Sequence, residues 1–168
     1  MNASARSQKE SWSGHVPARP HTLIIGIGNP LRGDDGLGWA VAEQLARDRS
    51  IDGVIRTVHQ LTPELAQEMA AVPLVIMVDA SREGEPGDLC MRSLTLPVEP
   101  HPASTHATTP EELAALTATI YDHCPPVVIV TMVGADFDLG ERCSTLITER
   151  LPLICAAVRM VLNAENTL

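Results

Sequence analysis

The sequence predicts an α/β protein, a three-layer α/β/α sandwich around a mostly parallel, twisted sheet of about five strands. Three observations point there. From Thr22 onward, short apolar runs alternate with amphipathic segments, the pattern of strand–helix units. The run opening at Thr22 and the one from Pro73 to Asp79 are continuously apolar rather than alternating, as strands buried on both faces of a parallel sheet are. Between the first run and the first amphipathic segment lies a glycine-rich turn, Gly26-Ile27-Gly28-Asn29-Pro30-Leu31-Arg32-Gly33-Asp34-Asp35-Gly36-Leu37-Gly38. Such a turn sits at the carboxyl end of a strand, where α/β folds build their sites.

Taken in order, residues 1–20 are polar and proline-containing with no apolar segment. They read as a flexible tail and not as a secretory signal. A single domain is expected over 21–165. Thr22 to Gly28 is the first strand. In the helix after it, Leu37, Ala40, Val41, Gln44 and Leu45 fall on one face at helical spacing. Gly53 to His59 is the second strand. Thr62-Pro63-Glu64-Leu65 reads as a helix start, with Thr62 as cap and Pro63 in the first helical position. Pro73 to Asp79 is the third strand. After Gly84, Pro86 and Gly87, the segment Asp88 to Leu94 alternates and reads as a less buried edge strand. Pro97 to Pro102 is a proline-rich loop. Thr109-Pro110-Glu111-Glu112 is a capping box with proline at the first helical position. Val127 to Val133 is the fifth strand. The last helix carries Leu146, Ile147, Leu151, Ile154, Val158, Val161 and Leu162, with Pro152 expected to kink or restart it.

Composition narrows the function. Only 2% of residues are aromatic against 45% hydrophobic, so the core is built from Leu, Val, Ile, Ala and Met. A net charge of −9 argues against nucleic acid and against an anionic membrane surface. No apolar run approaches the length of a spanning helix. Cys90, Cys124, Cys143 and Cys155 are scattered with no Cys-x-x-Cys pair, a poor zinc or disulfide framework that fits a reducing cytoplasm.

The glycine-rich turn matches none of three familiar loops. A dinucleotide fingerprint needs a third glycine where Leu31 stands, and no acid follows the second strand, which ends at Val58-His59-Gln60. A P-loop needs Lys-Ser/Thr where Asp34-Asp35 stand, and two carboxylates repel phosphate. No Gly-x-Ser-x-Gly elbow occurs. A turn presenting carboxylates suits a cation. The ordinary alternative is that Asp34 caps the following helix and Asp35 faces its dipole; for Asp34 that is the expectation. Asn29 is expected to hold a left-handed turn or to bond neighbouring backbone.

The turn resembles the signature of the nickel–iron hydrogenase maturation endopeptidases. Three later blocks extend the likeness: Val75-Ile76-Met77-Val78-Asp79-Ala80, a buried strand ending in Asp-Ala; Ser104-Thr105-His106 before a helix; and Gly134-Ala135-Asp136-Phe137-Asp138-Leu139-Gly140 after the last strand. The likeness runs from about residue 22 to 163. Many family members carry Glu where this chain has Asp35. The resemblance implies that Asp35, Asp79 and His106 are the catalytic residues through a metal, and its ligands. The implied metal is nickel supplied by the substrate, with zinc or cadmium able to substitute. Two carboxylates and an imidazole suit a divalent transition metal and leave positions open. Taken singly, an Asp after a strand more often accepts backbone bonds, and a loop histidine is more often a surface residue. His101 is a rival ligand; His15, His21, His59 and His123 match no block.

The resemblance further implies a cytoplasmic, monomeric endopeptidase that cleaves the C-terminal extension of a nickel-loaded hydrogenase large-subunit precursor, its only partner class. No serine or cysteine has an evident base partner in the sequence, which disfavours a covalent nucleophile. Two other readings stay open: a non-catalytic, metal-dependent maturation chaperone, and a self-sufficient zinc peptidase.

Overall fold

The computed structural model describes residues 21–95 and 108–165. The tail over 1–20, and with it His15, lies outside the described residues, as do His101 and His106. Five strands, β1 (Leu23–Ile27), β2 (Val54–Val58), β3 (Val75–Ser81), β4 (Leu89–Ser93) and β5 (Val127–Val133), form one sheet in the order β2-β1-β3-β5-β4. The first four neighbours run parallel, and β4 lies antiparallel to β5 at the edge. The alternation read in Asp88 to Leu94 is therefore that of an edge strand.

Helices α1 (Leu37–Ala46), α2 (Leu65–Ala70), α3 (Pro110–Tyr121) and α4 (Thr145–Glu165) cover the sheet. Alternate strand residues feed two separate cores. Leu23, Ile25, Ile27, Val75 and Met77 pack with Leu65 and Met69 of α2 and Leu113 of α3. Ile24, Ile76, Val78, Val130 and Met132 pack with Leu37, Val41 and Leu45 of α1 and Ile147, Ile154 and Val158 of α4. A strand that supplies both cores has no polar face to spare, which is why β1 and β3 read as unbroken apolar runs. Among the described residues no helix is long and apolar enough to cross a membrane.

Three local expectations change. The helix expected at Thr62 begins at Leu65, with Glu64 as cap and no side-chain cap bond. The Thr62 hydroxyl donates instead to the Glu64 carboxylate, holding it below the usual carboxylate range. The N–H groups of Leu65 and Ala66 donate to the Thr62 and Pro63 carbonyls, at 3.1 Å each, so backbone takes the place a side-chain cap would fill. Pro152 neither ends nor restarts α4, which runs through it as one helix of 21 residues; proline costs the carbonyl four residues back its partner, but long flanking packing carries the helix across. β3 continues past Asp79 to Ser81 along β5, whereas its pairing with β1 stops at Val78–Gly26. The capping box at Thr109 is formed as read, with Thr109 Oγ1 accepting from the Glu112 N–H and Glu112 accepting from the Thr109 N–H.

Candidate functional site

The chain leaves β1 for a crossover to one side and later returns as β3 on the other. Between β1 and β3 the sheet therefore opens a crevice at its carboxyl edge, the switch point where doubly wound folds bind ligands. Asp35 and Asp79 both reach it.

Asp35 is carried by a turn folded back on β1. Gly28 has φ of 125°, and the Asp35 carbonyl lies where a side chain at residue 28 would begin. Only glycine allows both. The turn then closes on itself: the Asp35 N–H donates to the Arg32 carbonyl at 3.1 Å, and the Arg32 N–H to that of Asn29 at 3.0 Å. The Asn29 N–H donates to Asp35 Oδ2 at 2.9 Å, and Asn29 Oδ1 accepts from the Leu31 N–H at 3.0 Å. Asn29 thus bonds neighbouring backbone; among the described non-glycine residues only Asp122 has a positive φ, so the left-handed alternative for Asn29 does not hold.

Asp34 faces the other way. It does not cap α1, whose capping position is Gly36 with no side-chain bond. It is fully buried within a one-turn 3-10 helix, Gly33–Gly36. Its Oδ2 accepts from the N–H groups of Ala135 (2.7 Å) and Asp136 (2.9 Å) and from Ser144 Oγ (2.9 Å), and its Oδ1 from the Ser144 N–H (2.6 Å). In a 3-10 turn adjacent side chains diverge by about 120°. One carboxylate of the pair can therefore enter the body of the protein while the next faces the crevice. The fourth family-like block, residues 134–140, thereby acquires a role: its backbone holds Asp34, and Gly140 exchanges bonds with Leu31 and Gly33. Gly134 must lack a side chain, because Asp34 Cβ lies 2.8 Å from where one would begin.

Asp79 stands opposite Thr131 of β5, one residue beyond the last β1–β3 pair. Its Oδ1 accepts from the Ala80 N–H at 2.8 Å. Burial pushes its pKa up to about 6, the Ala80 N–H opposes the rise, and the neighbouring Asp35 charge adds to it. A cation beside Asp79 would relieve both its burial and the neighbouring Asp35 charge.

The crevice is a cleft of about 220 Å³ lined by Ile27, Gly28, Asp35, His59, Gln60, Leu61, Asp79, Thr108 and Pro110. It brings together two of the three expected residues; the third, His106, lies outside the described residues, two positions before the cleft residue Thr108. Among the described residues no three His, Cys, Asp or Glu side chains assemble as a metal-binding group. The oxygen donors present, one of them desolvated, still fit a divalent cation that brings ligands of its own. His59 is the residue that sequence reasoning passed over. Its ring meets Trp39 edge-on, 5.1 Å between centroids, and Trp39 Nε1 donates to the Val58 carbonyl at 3.2 Å. The available signal was position: His59 directly follows β2, on the same carboxyl edge as Asp35 and Asp79. His21 and His123 lie away from the cleft lining; the former sits 3.7 Å from Asp52, and the latter bonds the Tyr121 and Ala70 carbonyls.

The fold and site define a class: a doubly wound α/β protein with an acidic cleft at its switch point. No protein-family model matches the chain, and no curated protein matches it. Solved structures do. HycI, a NiFe hydrogenase maturation protease from Thermococcus kodakarensis KOD1, is 27% identical with a TM-score of 0.68, covering 88% of this chain and 95% of its own. HybD, a NiFe hydrogenase maturation protease of Thermococcus kodakarensis, shares the fold at 20% identity and a TM-score of 0.67, covering 84% and 98%. The hydrogenase maturating endopeptidase HybD of E. coli does so at 16% and 0.64, covering 86% and 93%. The chain resembles these NiFe hydrogenase maturation proteases in fold, and one of them in sequence at 27% identity.

Proposed function

We propose that this protein is a peptidase that removes a C-terminal extension from the precursor of a NiFe hydrogenase large subunit and selects precursors that already carry nickel. The observation that carries the reading is the paired Asp35 and Asp79 at the switch-point cleft, with the Asp79 pKa raised to about 6 by burial and by Asp35. Such a pair gains most from a cation that arrives with its own partial coordination, as nickel in a precursor would. The nickel is part of the substrate. His106 enters by the family-like Ser104-Thr105-His106 block and by its nearness in sequence to Thr108.

Each carboxylate has one oxygen tethered by a backbone N–H, from Asn29 to Asp35 and from Ala80 to Asp79. The tethers fix both head groups before substrate arrives, so less freedom is lost on binding. No thiol is poised as a nucleophile. Burial pushes Cys124, Cys143 and Cys155 up from the ordinary thiol range, away from the thiolate. Ser144 Oγ donates to Asp34, and Ser144 does not line the cleft.

The test is incubation of the pure protein with precursor, with and without nickel, followed by mass spectrometry of the precursor. A mass loss at the C-terminus that requires nickel supports the reading. An unchanged precursor mass with a stable complex would favour a chaperone instead, and nickel-independent cleavage of free peptides a self-sufficient zinc peptidase.

A further inference from the structure

A second, larger concavity of about 740 Å³ lies behind the Asp35 turn, between α1 and the start of α4. Its floor is apolar, with Trp39 and Leu151, and its rim carries Glu43, Glu141 and Glu149 against one cation, Arg142. All three glutamates are exposed, and among the described residues none of them is in an ion pair. Trp39 stands between this groove and the cleft: it lines the groove, and its ring meets His59, which lines the cleft. The Trp39–His59 pair is therefore a wall that the cleft and the groove share.

We propose that the groove holds a stretch of the substrate precursor flanking the cut bond, a segment combining apolar side chains with lysine or arginine. This rests on the function proposed above and adds to it a specificity surface separate from the carboxylate pair. The apolar floor takes the apolar side chains, and the excess of carboxylates at the rim selects for basic ones and against acidic ones. The occupant enters by adjacency: the same polypeptide that places its scissile bond in the cleft must lie against an adjoining surface, and the groove shares the Trp39–His59 wall with the cleft.

The test is the double substitution Glu43→Lys with Glu149→Lys in the full chain, with precursor binding measured by calorimetry and processing by mass spectrometry. The proposal expects Kd and KM for the precursor to rise about tenfold at low salt, with kcat within about twofold, and the difference to shrink at about 0.5 M salt as the charges are screened. A KM within about twofold of wild type overturns the groove and leaves the cleft reading intact. Failure of the wild-type protein to cut nickel-loaded precursor overturns the function reading, while the Kd comparison still decides the groove; no binding by the wild-type protein overturns the groove. The remaining occupant is this chain's own basic tail. If removal of residues 1–18 tightens precursor binding and erases the effect of charge reversal, the groove belongs to the tail and the proposal falls.

Discussion

Asp34→Asn removes one charge, keeps the shape, and strikes the turn that presents Asp35. Asp34 receives four hydrogen bonds, three from backbone N–H groups and one from a hydroxyl. The best placement of an asparagine puts its carbonyl oxygen where Oδ2 accepts three of them. Its NH2 group then faces the Ser144 N–H, donor against donor, at a position where the acceptor now lies 2.6 Å away. One charge-assisted bond is lost, about 1.5–3 kcal/mol, and three others fall from charged to neutral strength, about 0.5–1 kcal/mol each. The expected loss is about 4 kcal/mol, since the site is fully buried and no water substitutes. For a domain of this size, about 2–4 °C of melting temperature goes with each kcal/mol. Thermal unfolding followed by circular dichroism should therefore show a drop of roughly 8–16 °C. Processing should fall as well, because the turn that positions Asp35 loses its anchor. A melting temperature within 2 °C of wild type would refute the anchoring role.

Three further outcomes follow from the same geometry. In the metal-free protein, Asp79→Asn should be more stable than wild type near neutral pH. The Asp79 pKa is raised to about 6 in the folded state from 3.8, so folding binds its proton more tightly, and the native state is penalised as pH rises from about 4 through 6, by up to about 3 kcal/mol at pH 7. Urea unfolding at pH 4 and pH 7 should show the gap only at pH 7; an equal gap at both would refute it. Alanine at Cys90, Cys124, Cys143 and Cys155, one at a time, should leave kcat within about threefold, since none is placed as a nucleophile; a loss of a hundredfold in a folded variant would restore covalent catalysis. Deleting residues 1–18 should move the melting temperature by no more than about 2 °C, because their sequence is polar and has no apolar segment to bury; a large drop would show that the tail is packed.

The sheet was legible because its signals are local. The unbroken apolar runs of β1 and β3 reflect burial on both faces, and alternation in β4 reflects an edge. The Thr109 capping box is complete within four residues. The site was legible in part. Asp35 and Asp79 could be assigned to one rim because the sequence reads the one as following β1 and the other as ending β3, and the fold puts β1 beside β3. The fate of Asp34 was not legible, because its partners Ala135, Asp136 and Ser144 lie more than 100 residues away in sequence, and nothing local separates a cap from an anchor. Thr62 misled for the opposite reason: its cap signal is local, but the N–H groups it would cap are met by the carbonyls of Thr62 and Pro63 in a turn ahead of the helix. His59 was missed because it resembled no motif, although its place after β2 pointed to the cleft.

The central claim is that Asp35 and Asp79 act together on a nickel-bearing precursor. The most direct measurement is single-turnover processing of nickel-loaded precursor by wild type, Asp35→Asn, Asp79→Asn and Asp35→Glu, read by mass spectrometry, with circular dichroism to show that each is folded. The account predicts C-terminal shortening by wild type, partial activity for Asp35→Glu, which keeps the charge, and no product from either asparagine variant. Cleavage at the wild-type rate by folded Asp35→Asn and Asp79→Asn would contradict it.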